Sequence, residues 1–229
     1  MKRVLITQSN YIPWKGYFDM IAHADVFVIY DEVQYTKNDW RNRNMIKTPN
    51  GPQWLTIPVR QLSLDQRICD TMISDANWCK RHIASLQANY ARAPFFAHYR
   101  DRVFGTYDPQ VPLLSVVNRA FLTTLCELLG ITTEIVDSRD LALVGDRNGR
   151  LLDACRKLDA TNYLSGPAAG DYLDVQLFGD NGIEVEWMNY AGYAEHPQLF
   201  PPFTHAVSVL DLLFNAGPDA PSYMKYARK

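Results

Sequence analysis

A three-layer α/β fold with a mostly parallel sheet and a helical insertion is predicted by three observations. Two short apolar runs, Val4-Leu5-Ile6 and Val26-Phe27-Val28-Ile29-Tyr30, flank a helix-length segment, the spacing of a strand–helix–strand crossover. The same alternation returns in the last hundred residues, with strand-like runs at 132–136, 161–165 and 183–188. Between these ends lies a long stretch in which helical periodicity dominates.

The elements follow in order. Residues 3–7 read as the first strand, about 14–22 as the first helix and 26–30 as the second strand, a Rossmann-like start. The run Trp54-Leu55-Thr56-Ile57-Pro58-Val59 is apolar on both faces, as a buried parallel strand is, and 68–74 supplies a fourth strand. Asp75-Ala76-Asn77-Trp78 places an N-cap before a helix through Tyr90, and Pro94-Phe95-Phe96 restarts one to about Phe104. Leu113, Val116, Val117, Ala120, Leu125 and Leu128 recur at helical spacing, and Gly130 supplies the stop. Helices are also predicted over 147–158 and 208–214. No repeat, low-complexity segment or Pro/Gly/Ser linker divides the chain, so a single domain over 1–229 is expected.

Composition narrows the classes of function. A hydrophobic content of 47% and a charged content of 21% are those of an ordinary globular chain. A formal net charge of -2 supplies no general basic field, so nucleic acid is not expected as a partner. No apolar run approaches the roughly 20 residues of a membrane span, and the start lacks the apolar core of a signal peptide. Cys69, Cys79, Cys126 and Cys155 are scattered without a CxxC pair, which points to reduced thiols in a cytoplasmic protein. No two histidines stand at metal-ligand spacing with a carboxylate, so no metal is expected.

The chemistry-bearing residues gather after the first two strands. Gln8, Asn10 and Tyr11 follow the first, and Asp31 and Gln34 the second, where open α/β sheets bind ligands. Asp31 reads either as a general base or as a loop cap. Lys37, Trp40, Arg41, Asn42, Arg43 and Lys47 form a cationic, aromatic run. Arg41 and Arg43 are two apart and on an extended segment share a face, fit to fork onto one phosphate or carboxylate, with Trp40 available to stack. The competing reading is a solvated loop. Trp14-Lys15-Gly16-Tyr17 resembles the H-x-G-H turn of the nucleotidylyltransferase superfamily, with Trp14 and Tyr17 in place of both histidines; a packing glycine in a tight turn is the alternative. Ser165, Gly166 and Tyr172 belong to a small-residue loop of the type that cradles phosphates, without a Walker A or dinucleotide-binding pattern. His205 can pair with Asp211 or Asp31 as an acid–base couple, or be a structural histidine. Gln8, Asp31 and Arg43 are expected to converge on one concave anion receptor.

The blocks from Gln8 to Asp19, Asp31 to Tyr35, Trp40 to Lys47, Tyr163 to Gly166, Tyr172-Leu173 and Ser208 to Gly217 resemble the WbqC-like family over essentially the whole chain. That resemblance implies bacterial O-antigen and surface-polysaccharide biosynthesis, and transfer of an acyl or amino-acid group such as glycine onto an amino sugar. The residues suit a nucleotide-linked amino sugar: cations for its diphosphate, aromatics for stacking, amides for hydroxyls. Asp31 and His205 are the candidate bases. The donor requires activation by ATP or an acyl carrier. A nucleotide-dependent ligase, a hydrolase of the same pathway and a non-catalytic sugar-nucleotide-binding protein are the rival readings, and a homodimer is compatible with all of them.

Overall fold

The computed structural model describes residues 1–227. Strands β1 (Arg3–Thr7) and β2 (Val26–Ile29) bracket helix α1 (Lys15–His23). Two hairpin-like ladders follow, β3 (Arg43–Thr48) with β4 (Gly51–Thr56), and β5 (Val59–Arg60) with β6 (Met72–Ile73). Helices α2 (Trp78–Tyr90), α3 (Phe96–Phe104) and α4 (Leu114–Leu129) complete the insertion. The chain then returns through β7 (Glu134–Asp137), α5 (Arg147–Lys157), β8 (Asn162–Ser165), α6 (Val175–Gly179), β9 (Glu184–Trp187) and α7 (Val209–Ala216).

Five strands form one sheet in the order β7-β2-β1-β8-β9, every pair parallel. Alternation along the strands makes three layers. Val4, Ile6, Val26 and Val28 pack on one face with Leu151, Cys155 and Phe178 of α5 and α6. Leu5, Phe27 and Ile29 face the other way, onto Phe18 and Ile21 of α1 and the apolar sides of α2, α3, α4 and α7. The chain steps outward from β1 through β2 to β7, then returns beside β1 to β8 and continues to β9. The reversal makes a topological switch point at the carboxyl ends of β1 and β8, which is where a Rossmann-like sheet opens a crevice.

Two strand readings need correction. The run from Trp54 is not a buried parallel strand of the main sheet. It belongs to β4, an antiparallel strand whose Gln53, Trp54 and Thr56 are exposed, and it ends before Pro58. Its partner β3 is formed by residues that read as an anion-binding loop. The signal was the turn Thr48-Pro49-Asn50-Gly51, where Gly51 adopts φ 96° to reverse the chain. The fourth strand over 68–74 resolves into a short 3-10 turn, Ile68–Asp70, and the two-residue β6. Among the described residues no helix is long and apolar enough to cross a membrane.

Candidate functional site

The switch point carries a cavity of about 580 Å³. Gln8 enters it from the end of β1, Gln34 from the segment after β2, and Ser165 and Gly166 from the end of β8. Tyr30, Tyr163 and Tyr172 add aromatic wall. Arg147 opens α5 just after its capping Asp146, whose Oδ1 accepts from Gly149 N at 2.8 Å. The Arg147 guanidinium lies 3.4 Å from the centre of the Tyr172 ring, a stacked cation–π pair. Asn148 ties that tyrosine's loop to the helix: its Nδ2 donates to Tyr172 O at 3.3 Å, and its Oδ1 accepts from Asp174 N at 3.2 Å. Among the described residues the lining holds this arginine and no carboxylate, so the crevice favours an anion.

A second cavity, about 290 Å³, lies beyond the same strand end. Asn10, Pro13 and Trp14 form one wall, Trp40 and Asn44 another, His205 and Ala206 a third. Gln8 lines the first cavity and Asn10 the second. Two residues of chain span at most about 7 Å, so the cavities are neighbours across one short segment. The Trp14 indole folds back over Gly16, where an added Cβ would stand 2.3 Å from the ring. It also packs 5.4 Å from Tyr190 and 5.7 Å from Tyr193. The glycine therefore lets Trp14 line the cavity.

His205 has its Nδ1 buried without a hydrogen-bond partner among the described residues. Burial, with a smaller electrostatic effect of the nearby Lys15, pushes its pKa below the ordinary histidine value, so the ring is neutral near pH 7. It does not pair with Asp211, as its place in the sequence suggested. That carboxylate is wholly buried and accepts from His196 Nε2 at 2.8 Å, Gln198 Nε2 at 2.7 Å and Tyr90 OH at 2.9 Å. Nearby, Lys15 is buried with its Nζ donating to Ala194 O at 2.7 Å, and burial brings its pKa down to about 8.

Asp31 also lies within the fold. Its Oδ1 accepts from Ser9 N at 2.8 Å and its Oδ2 from Ser9 Oγ at 2.7 Å, while Asn118 Nδ2 donates to the same Ser9 Oγ at 3.0 Å. Burial raises the Asp31 pKa against the lowering effect of both Ser9 bonds. The carboxylate thus holds the turn between Gln8 and Asn10, the segment that divides the two cavities.

The other sequence-selected residues take separate places. Arg41 donates to Asn10 Oδ1 and stands 3.6 Å from Asp39, whereas Arg43 donates to Asn38 O and covers the Trp54 ring at 4.2 Å. The two guanidinium groups therefore do not fork onto one ligand atom set. Arg41 precedes β3 and turns inward, while Arg43 is pinned on the hairpin. Gln8, Asp31 and Arg43 correspondingly occupy the crevice, the interior and the hairpin instead of one receptor. Tyr11 is wholly buried, its OH 2.8 Å from His82 Nδ1 and 2.9 Å from Tyr107 OH. Tyr17 OH donates to Gln8 O at 2.8 Å and steadies the strand end. Asn42 Nδ2 donates to Ile57 O, Lys47 Nζ to Pro202 O, and Lys37 is exposed. Sequence reasoning missed Arg147, His196 and Lys15. A basic residue directly after a capping Asp, on a helix that follows a strand, was the legible signal for Arg147; Lys15 lay within the Trp14–Tyr17 turn already singled out, and nothing local marked His196.

The comparisons agree with the length of the resemblance. The uncharacterized protein Rv1507c of Mycobacterium tuberculosis is 46% identical over 231 residues, covering 100% of both chains. No solved structure matches this chain. The sequence profile of the WbqC-like protein family matches residues 8–223, from the first strand end to the last helical turn, and the chain belongs to that family.

Proposed function

We propose that the protein is a cytoplasmic transferase that adds an acyl or aminoacyl group, of the glycyl type, to the amine of a nucleotide-linked amino sugar in surface-polysaccharide (O-antigen) assembly. The observation that carries this reading is the pair of neighbouring cavities. One is an anion-favouring crevice at the switch point, and the other is an aromatic-walled pocket holding a neutral imidazole. The nucleotide diphosphate lies in the crevice, with Arg147 on its phosphates, Tyr172 against a ring, and Gln8, Gln34 and Ser165 on hydroxyls. The sugar amine reaches past Gln8 and Asn10 toward His205. Its nitrogen attacks the activated acyl carbon, the bond to the leaving group breaks, and His205 takes the ammonium proton. Asp31 acts by position, through Ser9. The four buried free thiols support the cytoplasmic placement.

The test is direct. Pure protein is incubated with uridine- and thymidine-diphosphate amino sugars, glycine or another acyl source, and ATP or an acyl carrier. A product heavier by the acyl group supports the reading, and no mass gain under any combination ends it.

A further inference from the structure

Two indoles stand out of the core at the rim of the His205 cavity. Trp40 and Trp54 are 42% and 41% exposed, with ring centres 5.4 Å apart and planes inclined by 39°. Trp40 also lines the cavity, so this aromatic surface is continuous with it. The Arg43 guanidinium lies 4.2 Å over Trp54. Leaving two such rings in water forgoes a large apolar burial, which marks a surface kept open for a ligand. The charges nearby are biased. Arg43 covers Trp54, and Arg41 stands 3.6 Å from the one nearby acid, Asp39, whose Oδ2 already accepts from Thr36 Oγ1 at 2.6 Å and whose Oδ1 accepts from Trp40 N at 2.7 Å.

We infer that this platform binds the base and phosphate of an adenine-nucleotide-bearing acyl donor, with the acyl end entering the His205 cavity. The donor role rests on the transfer reading above; the nucleotide-binding platform does not. A heterocyclic base stacks on an indole whatever its edge pattern, and the Arg43 guanidinium beside it, which spends one of its five N–H donors on Asn38 O, has others for a phosphate. A sugar ring would instead need free amides and carboxylates. The nearest are occupied: Asn44 Nδ2 donates to Tyr11 O and its Oδ1 accepts from Met45 N, Asn10 Oδ1 accepts from Arg41, and Asp39 is engaged as above. Two donors share this chemistry, an acyl adenylate made from ATP and a coenzyme A thioester. In either, the acyl carbon–oxygen or carbon–sulfur bond breaks as the carbon–nitrogen bond forms. The electron pair leaves with AMP or the thiolate, and the amine proton passes to His205.

The whole chain is titrated with ATP, coenzyme A, UDP and UDP-glucosamine, following tryptophan fluorescence and heat. ATP or coenzyme A is expected to quench the indoles, and which of them does so names the source. Trp54→Ala should weaken that ligand about 5- to 150-fold, the range for one base stacked on one aromatic ring, while Trp54→Phe keeps most of the affinity. UDP-glucosamine binding should change less than twofold in both variants and should instead respond to Arg147→Ala. No binding of ATP or coenzyme A at millimolar concentration overturns the inference. So does retention of affinity within twofold in both Trp40→Ala and Trp54→Ala. If UDP-glucosamine fails to bind while the adenine arm responds to Trp54→Ala, the platform stands and the sugar-nucleotide reading falls.

Discussion

At the scale of single residues, the proposed transfer assigns binding to one side chain and chemistry to another. Arg147 lies in the switch-point crevice, stacked on Tyr172 and free of any ion pair in the described structure. Arg147→Ala should weaken a nucleotide diphosphate by about 1.5–3 kcal/mol, the worth of a hydrogen bond to a charged group, read as a calorimetric Kd. His205 is the base of the proposed transfer, and a base acts only while unprotonated. Because burial lowers its pKa from 6.5, the rate should hold through pH 7 and fall only as the solution becomes more acidic than that value. His205→Gln should remove this acid limb and cost about 100- to 10,000-fold in kcat. A pH–rate profile of the two proteins checks both statements. His205 was singled out in the sequence and Arg147 was not, and the partners of His205 were not legible: it stands six residues before Asp211, yet His196, fifteen before it, makes the bond.

At the scale of elements, the start of α1 joins packing to the site. Gly16 sits in the first turn of that helix, where alanine would normally stabilise by about 1 kcal/mol through helix propensity. Here its Cβ would meet the Trp14 ring at 2.3 Å. Gly16→Ala should therefore destabilise the fold by about 1–3 kcal/mol, as overpacking does, and should also disturb ligand entry by displacing a wall of the second cavity. Chemical denaturation and fluorescence of Trp14 measure the two effects. A gain in stability would show that the indole is free to move. The helices and the parallel strands were readable because their apolar periods are long and their stops, such as Gly130 at φ 70°, are specific. The β3–β4 hairpin was not, because cations and amides on a two-sided strand look like a polar loop until a partner strand is supplied.

At the scale of the whole molecule, His82 couples stability to pH. It is buried between Tyr11 and the Thr56 carbonyl, where a neutral ring satisfies both nitrogens by accepting from Tyr11 OH and donating to Thr56 O. Burial brings its pKa from 6.5 down to about 4. The unfolded chain binds this proton below pH 6.5 and the folded chain does not until about pH 4, so stability is lost as pH falls through that window. The full difference is on the order of 3 kcal/mol. Thermal melts between pH 7.5 and 4 should show it, and His82→Gln should flatten the slope. The same melts should show one cooperative transition, as expected of a single domain; two separable transitions would place a boundary within the chain.

By itself the sequence determined the layering, the alternation of strand and helix, and the family, because those rest on local periodicity and on runs of residue types that need no partner to be read. It also located the polar strand ends. Only the tertiary structure decided that these ends serve two cavities and not one, that Asp31 braces the turn between them, and that Arg147 arrives from a helix more than a hundred residues beyond Gln8. The physical reason is that a cavity is a property of packed neighbours. Strand order sets which loop ends meet, and burial decides whether a charged group is left facing a ligand or spent on the backbone beside it.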